Sequence, residues 1–284
     1  MKTIATFSIA AYDPEAQEWG VAVQSKFLGC AAAVCFAKAG AGAIATQANA
    51  NLDYGELGLK LLEKGYSAQK VLDALVAMDD GRDDRQVGII DSQGRSVCYT
   101  GAKCLDWAGG IAGPNFTCQG NILVSKETVS AMAESFQNST GPLAHRLVQA
   151  LDAGQNAGGD RRGRQAAGLL VVKEGGSYGG FNDRMIDLRV DDDPEPIAKL
   201  QHLLDLHDLY FGKTEVEVPM VGDTCKAVQA ALAEKGYYKG AVDGVYGDVT
   251  KQAFVDWCNT ENFEERICEG EFMDEKVMNI LLGK

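Results

Sequence analysis

Two short alternating segments near the start of the chain, TFSIAAYD and WGVAVQSKF, are separated only by the polar turn PEAQE. Alternation on both sides of so short a turn is the pattern of an antiparallel hairpin. A chain that opens this way is committed to a sheet whose neighbours run antiparallel, because parallel neighbours need a crossover of a dozen residues or more. The hairpin also places Thr6 and Ser8 on its first strand and Lys26 at the end of its second.

The rest of the chain extends that sheet in blocks. AGAGAIATQA reads as a third, buried strand entered through glycines. YGELGLKLLEKG and SAQKVLDALVAMDD carry apolar residues at three and four spacing and read as two helices. RQVGIIDSQGRSVCYTG is a hairpin turning at Gln93 and Gly94, and FTCQGNILV is a further strand. KETVSAMAESFQN and PLAHRLVQALDAG are helices, QAAGLLVVKEGG and MIDLRVDDD pair as strands, and EPIAKLQHLLDLHDLYF closes as a helix. This order suits two antiparallel sheets packed together with helices on both outer faces. The expected fold class is therefore α+β, a four-layer αββα sandwich of the kind found in N-terminal-nucleophile (Ntn) hydrolases, followed by a small all-α domain.

Composition shifts near Leu209, where YFGKTEVEVPMVGD reads as a polar connector. The expected domains are residues 1–210, a linker over 211–219 and a small helical domain over 220–284. The 284 residues, 46% of them hydrophobic, are enough for this. A net charge of -13 argues against a nucleic-acid or anionic-membrane partner, since phosphate neutralisation needs a supply of Lys and Arg on one face. Small anionic substrates remain open wherever arginines cluster. Eight cysteines without a CxxC fit reduced core residues better than a metal or disulfide framework. The N-terminus lacks the apolar run of a secretory signal, and no later run reaches a membrane span, so a cytoplasmic location is expected. No metal and no cofactor are expected: the GxGxxA pattern from Gly40 precedes a strand rather than a helix, and His145, His202 and His207 have no ligand spacing.

TFSIAAYDPE, GVAVQSKF, GAIATQA, RQVGIIDSQGR, YTGAKCLDWAGG, QGNIL, GGDRRGRQAAGLLVV and FNDRMIDLRVDDDPEPI, taken in order, resemble the domain-of-unknown-function family 1028, usually labelled Ntn-hydrolase-like. The resemblance runs from about Thr6 to Leu209. It implies a fold and leaves the reaction open.

An Ntn site needs a Ser, Thr or Cys whose own free α-amine acts as base, with donors for the oxyanion. The candidate nucleophiles on the first strand are Thr6 and Ser8, and the TQANAN loop offers Thr46, Gln47 and Asn49 to the oxyanion and substrate. Exposing the Thr6 amine requires cleavage after Ala5. The mid-strand lysine common near such nucleophiles falls in AAAVCF, which has none, leaving Lys26 or Lys38 as its replacement. The plain alternative for Thr6 and Ser8 is a strand hydroxyl on a half-buried sheet. GGDRRGRQ gathers Asp160, Arg161, Arg162 and Arg164 as a fork for a substrate carboxylate, or as internal ion pairs. Gln119 and Asn121 flank a glycine where a ligand would come close. Asn182 and Asp183, with Arg184 and Asp187, would bind substrate or a cation, or brace the last strand.

In the tail, GDTCKAVQAALAEKGYYKGAVDGVYGDVT resembles a small helical peptidoglycan-binding domain, with VDGVYG and Thr250 its most specific part. A compact interaction or assembly module is the other reading. The expected activity is hydrolysis of an amide or related C–N bond in a small carboxylate-bearing molecule, and the competing expectation is a non-catalytic binding or scaffold protein. The apolar run GCAAAVCFAKAGAGA points to a homodimer.

Overall fold

The computed structural model of the chain describes residues 6–284, so the expected cleavage after Ala5 lies outside the described residues. The chain mixes helix and strand and divides into two compact units at Leu204 and Asp205.

The first unit begins with β1 (Thr6–Asp13), β2 (Glu18–Ser25), the single turn α1 (Ala31–Val34), β3 (Cys35–Lys38) and β4 (Gly42–Ala48). Helices α2 (Asp53–Glu63) and α3 (Ala68–Met78) follow, then β5 (Arg85–Asp91), β6 (Ser96–Thr100), β7 (Gly109–Gly113) and β8 (Phe116–Asn121). Next come α4 (Glu127–Asn138), α5 (Leu143–Asn156), β9 (Ala166–Val172), β10 (Arg184–Val190) and α6 (Pro196–Phe211), which runs past the division. One sheet has the order β10-β9-β2-β1-β8-β7 and the other β3-β4-β5-β6, and their pairings are antiparallel.

Side-chain parity explains the packing. Alternate residues of a strand face opposite sides of its sheet. On β1, Phe7, Ile9 and Ala11 join Leu143, Leu147, Val148 and Leu151 of α5 and Val129, Met132 and Phe136 of α4 in one core. Those α5 residues recur on one helical stripe, which is why the segment is a helix. On the opposite face, Ala10 and Tyr12 join Val21 and Val23 of β2 and Ala43, Ala45 and Ile90 of the other sheet. That sheet turns Ile44, Val87 and Ile89 toward Val71, Leu72 and Leu75 of α3. Helix α3 is fixed at its start by Ser67, whose hydroxyl accepts from Lys70 N, and by Asp91, whose Oδ2 accepts from Ala68 N at 3.0 Å.

The layer shared by the two sheets changes character along its length. It is apolar where Ala10, Tyr12, Trp19 and Val21 lie and polar where β1 begins, with Thr6, Ser8, Gln47, Gln86, Gln119 and Asn121 all inaccessible to solvent. Gly88 makes room for this: a Cβ on it would lie 2.1 Å from Gln119 Oε1.

Two strands of the first unit escaped the sequence reading. β3 occupies CFAK, inside the run assigned to an interface, and Cys30, Ala31, Val34 and Ala43 of that run pack into the chain's own core. β7 is the glycine-rich GGIAG, which lacks any alternation to read.

The second unit holds β11 (Glu217–Pro219), α7 (Gly222–Glu234), α8 (Asp248–Glu261), β12 (Phe272–Asp274) and α9 (Glu275–Leu281), with β11 and β12 paired antiparallel. Strand β11 falls within the segment 211–219 read as a linker, and its pairing with β12 makes the small domain, expected to be all-α, mainly helical with a two-stranded sheet. Trp257, Phe254, Leu232 and Val277 centre its core. Gln229 is the buried hub of the VDGVYG turn: its Nε2 lies 2.9 Å from Asp243 Oδ1 and 3.1 Å from Tyr238 OH, Val245 O and Thr250 Oγ1, while its Oε1 accepts from Gly244 N at 2.9 Å. The motif residues are thus the partners of one amide. No helix among the described residues is long and apolar enough to cross a membrane.

Candidate functional site

The polar end of the inter-sheet layer is one connected hydrogen-bond network, and its direction is set by the backbone. Gln86 Nε2 donates to Gly120 O at 2.7 Å and to Gly109 O at 3.3 Å; a carbonyl only accepts, so this end of the amide must be nitrogen. Gln86 Oε1 is then an acceptor, and it receives Gln47 Nε2 at 2.9 Å and Asn121 Nδ2 at 3.0 Å. Gln47 Oε1 in turn receives the Ser8 hydroxyl at 2.6 Å. Ser8 Oγ accepts from Gln119 Nε2 at 2.7 Å, and Gln119 Oε1 accepts from Thr117 Oγ1 at 2.9 Å. Each of these partners is an amide, a hydroxyl or a carbonyl. The Ser8 proton is committed to Gln47, with no base among its partners.

Thr6 stands at the margin of the network. Its Oγ1 donates to Ser25 Oγ at 3.1 Å, and its carbonyl accepts from Gln47 Nε2 at 3.4 Å. Directly across from Thr6 on β8 is Asn121. The Asn121 side chain is buried, its nitrogen is used by Gln86, and its Oδ1 has no hydrogen-bond partner. Two non-glycine residues with left-handed backbone flank this end, Ala48 at φ 66° and Ile122 at φ 51°. For a β-branched residue that is a genuine outlier, and such strain concentrates at working sites.

The loop after β4 is held by its backbone. Thr46 Oγ1 donates to Asn51 O at 3.2 Å, Asn49 N donates to Asp84 O at 3.1 Å, and Asn49 O accepts from Arg85 at 2.6 Å. Arg85 Nε also pairs with Asp79 Oδ2 at 2.8 Å. That guanidinium, first among several donors, holds the Asp79 carboxyl well below the usual carboxylate range.

Lys26 and the arginine loop reach the same strand end. Lys26 N donates to the buried Asp160 Oδ2 at 2.9 Å, and its Nζ donates to Arg164 O at 3.1 Å. Asp160 also binds the Arg162 guanidinium at 3.0 Å, and Arg164 pairs with Glu195. Arg161 N donates to Ile122 O at 3.0 Å, and the residue is exposed. So Arg162 and Arg164 are internally paired, as the ion-pair alternative anticipates. Asn182 and Asp183 lie elsewhere. Arg184 pairs with Val172 and Val172 with Trp19, whereas Ser25 pairs with Ala166, which puts them six residues down β9, roughly 20 Å away. There Asp183 Oδ2 accepts from Ala39 N and Asn182 Oδ1 from Arg184 N, both at 2.9 Å, so both brace a loop.

The sequence reading passed over Gln86, Ser25 and Thr117. Their signal was parity: each is a polar residue on a strand position that faces the opposite sheet. Among the described residues, no group of three or more His, Cys, Asp or Glu converges to hold a metal ion. The cleft of about 550 Å³ lined by Val148, Asp152 and Asn156 of α5 and Ile197 and Gln201 of α6 includes none of the site residues.

Comparison with known proteins follows the two units. No curated protein matches the chain. The crystal structure of a Silicibacter pomeroyi protein assigned to DUF1028 is similar at 29% sequence identity and a TM-score of 0.65, covering 72% of this chain and 89% of that one. Residues 210–281 match the domain described as "Putative peptidoglycan binding domain". Residues 6–200 match the "Family of unknown function (DUF1028)", and the chain belongs to that family.

Proposed function

We propose that the first unit is an αββα sandwich of the Ntn type, and that it hydrolyses an amide or related C–N bond in a small carboxylate-bearing molecule with Thr6 as nucleophile. The observation that carries this reading is the place of Thr6: on β1 at the polar end of the inter-sheet layer, with the Ser25 hydroxyl as its partner. Removal of residues 1–5 would free its α-amine. The amine then takes the Oγ1 proton, Oγ1 attacks the substrate carbonyl, and the C–N bond breaks with the proton delivered to the leaving amine. Water releases the acyl group by the same route in reverse. Asn49 on the strained loop after β4 serves as oxyanion donor, Arg161 meets the substrate carboxylate, and Lys26 supplies a positive charge at the strand end. Ser8 is structural in this reading.

The test is intact-mass measurement of the purified chain beside an amide panel run on wild type and Thr6→Ala. Loss of residues 1–5 and an inactive Thr6→Ala support the reading. A wild-type chain that keeps residue 1 and still hydrolyses an amide sinks it.

The burial of Thr6 and Ser8 favours a second reading, a non-catalytic binding or scaffold protein. In both, the division into residues 1–210, a linker over 211–219 and a small domain over 220–284 is retained. The small domain binds peptidoglycan fragments or serves as an assembly module, and a homodimer forms through the first unit. Light scattering on the full chain checks the last point.

A further inference from the structure

We infer that Asn121 is the positioning residue for the α-amine of Thr6, an assignment that rests on the Thr6 reading above. Asn121 lies opposite Thr6 in the β1–β8 ladder, so the two side chains share one face with Cβ atoms about 5 Å apart. Its orientation is not free. Gln86 Oε1 can only accept, so Asn121 must present Nδ2 to it at 3.0 Å, and Oδ1 is the end of the amide that this bond leaves over. The oxygen is left without a partner in a side chain that is fully buried. An unmade hydrogen bond at a buried acceptor is costly, and each neighbouring amide in the network has avoided that cost. The missing partner is a donor, and the residue directly across from Asn121 is Thr6.

Cleavage before Thr6 creates such a donor. In the uncleaved chain the Thr6 nitrogen is one amide N–H; in the cleaved chain it is an amine that carries two or three hydrogens and can turn. Asn121 Oδ1 accepts one of them, which aims the amine's lone pair at Oγ1 when the amine is neutral and stabilises the ammonium when it is charged. Asn121 thus sets both the direction and the basicity of the base. The neighbouring left-handed Ile122 holds the end of β8 in the conformation this requires. Among the described residues, the charged groups around this end include Lys26 after β2, Asp160 with Arg162 and Arg161 before β9, the Asp79–Arg85 pair at β5, Asp84, and Asp106 before β7. None of the variants below alters them.

The experiment has two arms. Intact mass is read first on the full chain: retention of residue 1 overturns the Thr6 reading and this assignment together. In the processed protein, competitive labelling of the α-amine with acetic anhydride between pH 5 and 10 gives its pKa. Asn121→Ala is expected to lower that value by about one pH unit, the loss of one hydrogen bond to a charged group. Asn121→Asp is expected to raise it, because a carboxylate there favours the ammonium. If Asn121→Ala does not fold, as judged by circular dichroism, Asn121→Ser is expected to show the same downward shift. Superimposable titrations of wild type and the folded variants overturn the assignment and leave Thr6 as the nucleophile.

Discussion

Ser8 Oγ donates to Gln47 Oε1 over 2.6 Å, and that bond joins β1 of one sheet to β4 of the other. The same hydroxyl oxygen accepts from Gln119, so one small side chain satisfies two amides that have no access to water. Ser8→Ala would leave Gln47 Oε1 and Gln119 Nε2 each short of a partner. The expected cost is about 2–6 kcal/mol, from two buried groups at about 1–3 kcal/mol each. Urea unfolding of wild type and variant measures it. A loss under about 0.5 kcal/mol would show that the network does not depend on Ser8.

The Asp79–Arg85 pair makes stability depend on acid. Asp79 titrates below its unfolded value of about 3.9, so its contribution is fully present above that pH and is lost as pH falls through the lowered folded value. Wild type should therefore lose stability more steeply than Asp79→Asn on going from pH 5 to pH 2.5. At pH 7 the variant should be less stable by about 2 kcal/mol, because Arg85 loses a charged partner. Parallel pH curves for the two proteins would remove the pair from the account.

Burial pushes the thiols of Cys30 and Cys258 up to about 12. Neither should react with iodoacetamide at pH 8 in the folded protein, while both should label fully in urea. Peptide mapping after timed labelling reads this directly, and rapid labelling of Cys30 in the native state would contradict its place in the core between the sheets.

Arg266 is a buried cation with a fixed set of partners. It pairs with Asp274 at 3.0 Å, both side chains 1% exposed, and donates to the carbonyls of Asp208, Leu209 and Lys213 at and beyond the end of α6. Those of Asp208 and Leu209 belong to the last turn, where Asp208 O also accepts from Gly212 N at 3.0 Å. Arg266→Met should cost about 3–5 kcal/mol, since it strands the buried Asp274 carboxylate. Arg266→Lys should not restore the loss, because an ammonium lacks the planar fork. Thermal unfolding of the three proteins checks both statements.

Much of this was legible in the sequence because apolar parity and helical spacing survive folding. The opening hairpin, the helix pairs and the hairpin at Gln93 and Gly94 were read from those periods. β3 and β7 were not, since CFAK is too short to show a period and GGIAG has little side chain to show one. At the site, Thr6 and Ser8 were singled out by their place on the first strand and Gln119 and Asn121 by the glycine between them, while Gln47 was read as loop and lies within β4. Gln86 was read into a hairpin strand but not as a site residue, because its side-chain partners lie on β4 and β8, which that hairpin does not contain. Asn182 and Asp183 were grouped with them wrongly. An antiparallel strand pair has two ends, and composition does not say which end a loop occupies.

The one-way polarity of the glutamine network has a consequence for descent. Each amide has its orientation imposed by the next, back to the carbonyls of Gly109 and Gly120. A single codon change at Ser8, Gln47, Gln86 or Gln119 strands a neighbour within the set, whereas a concerted change to apolar residues leaves only Asn121 and Thr117, outside the set, short of a side-chain partner. These four positions should therefore be inherited as a block across relatives, kept together or replaced together, and chains carrying only two or three of them should be rare intermediates.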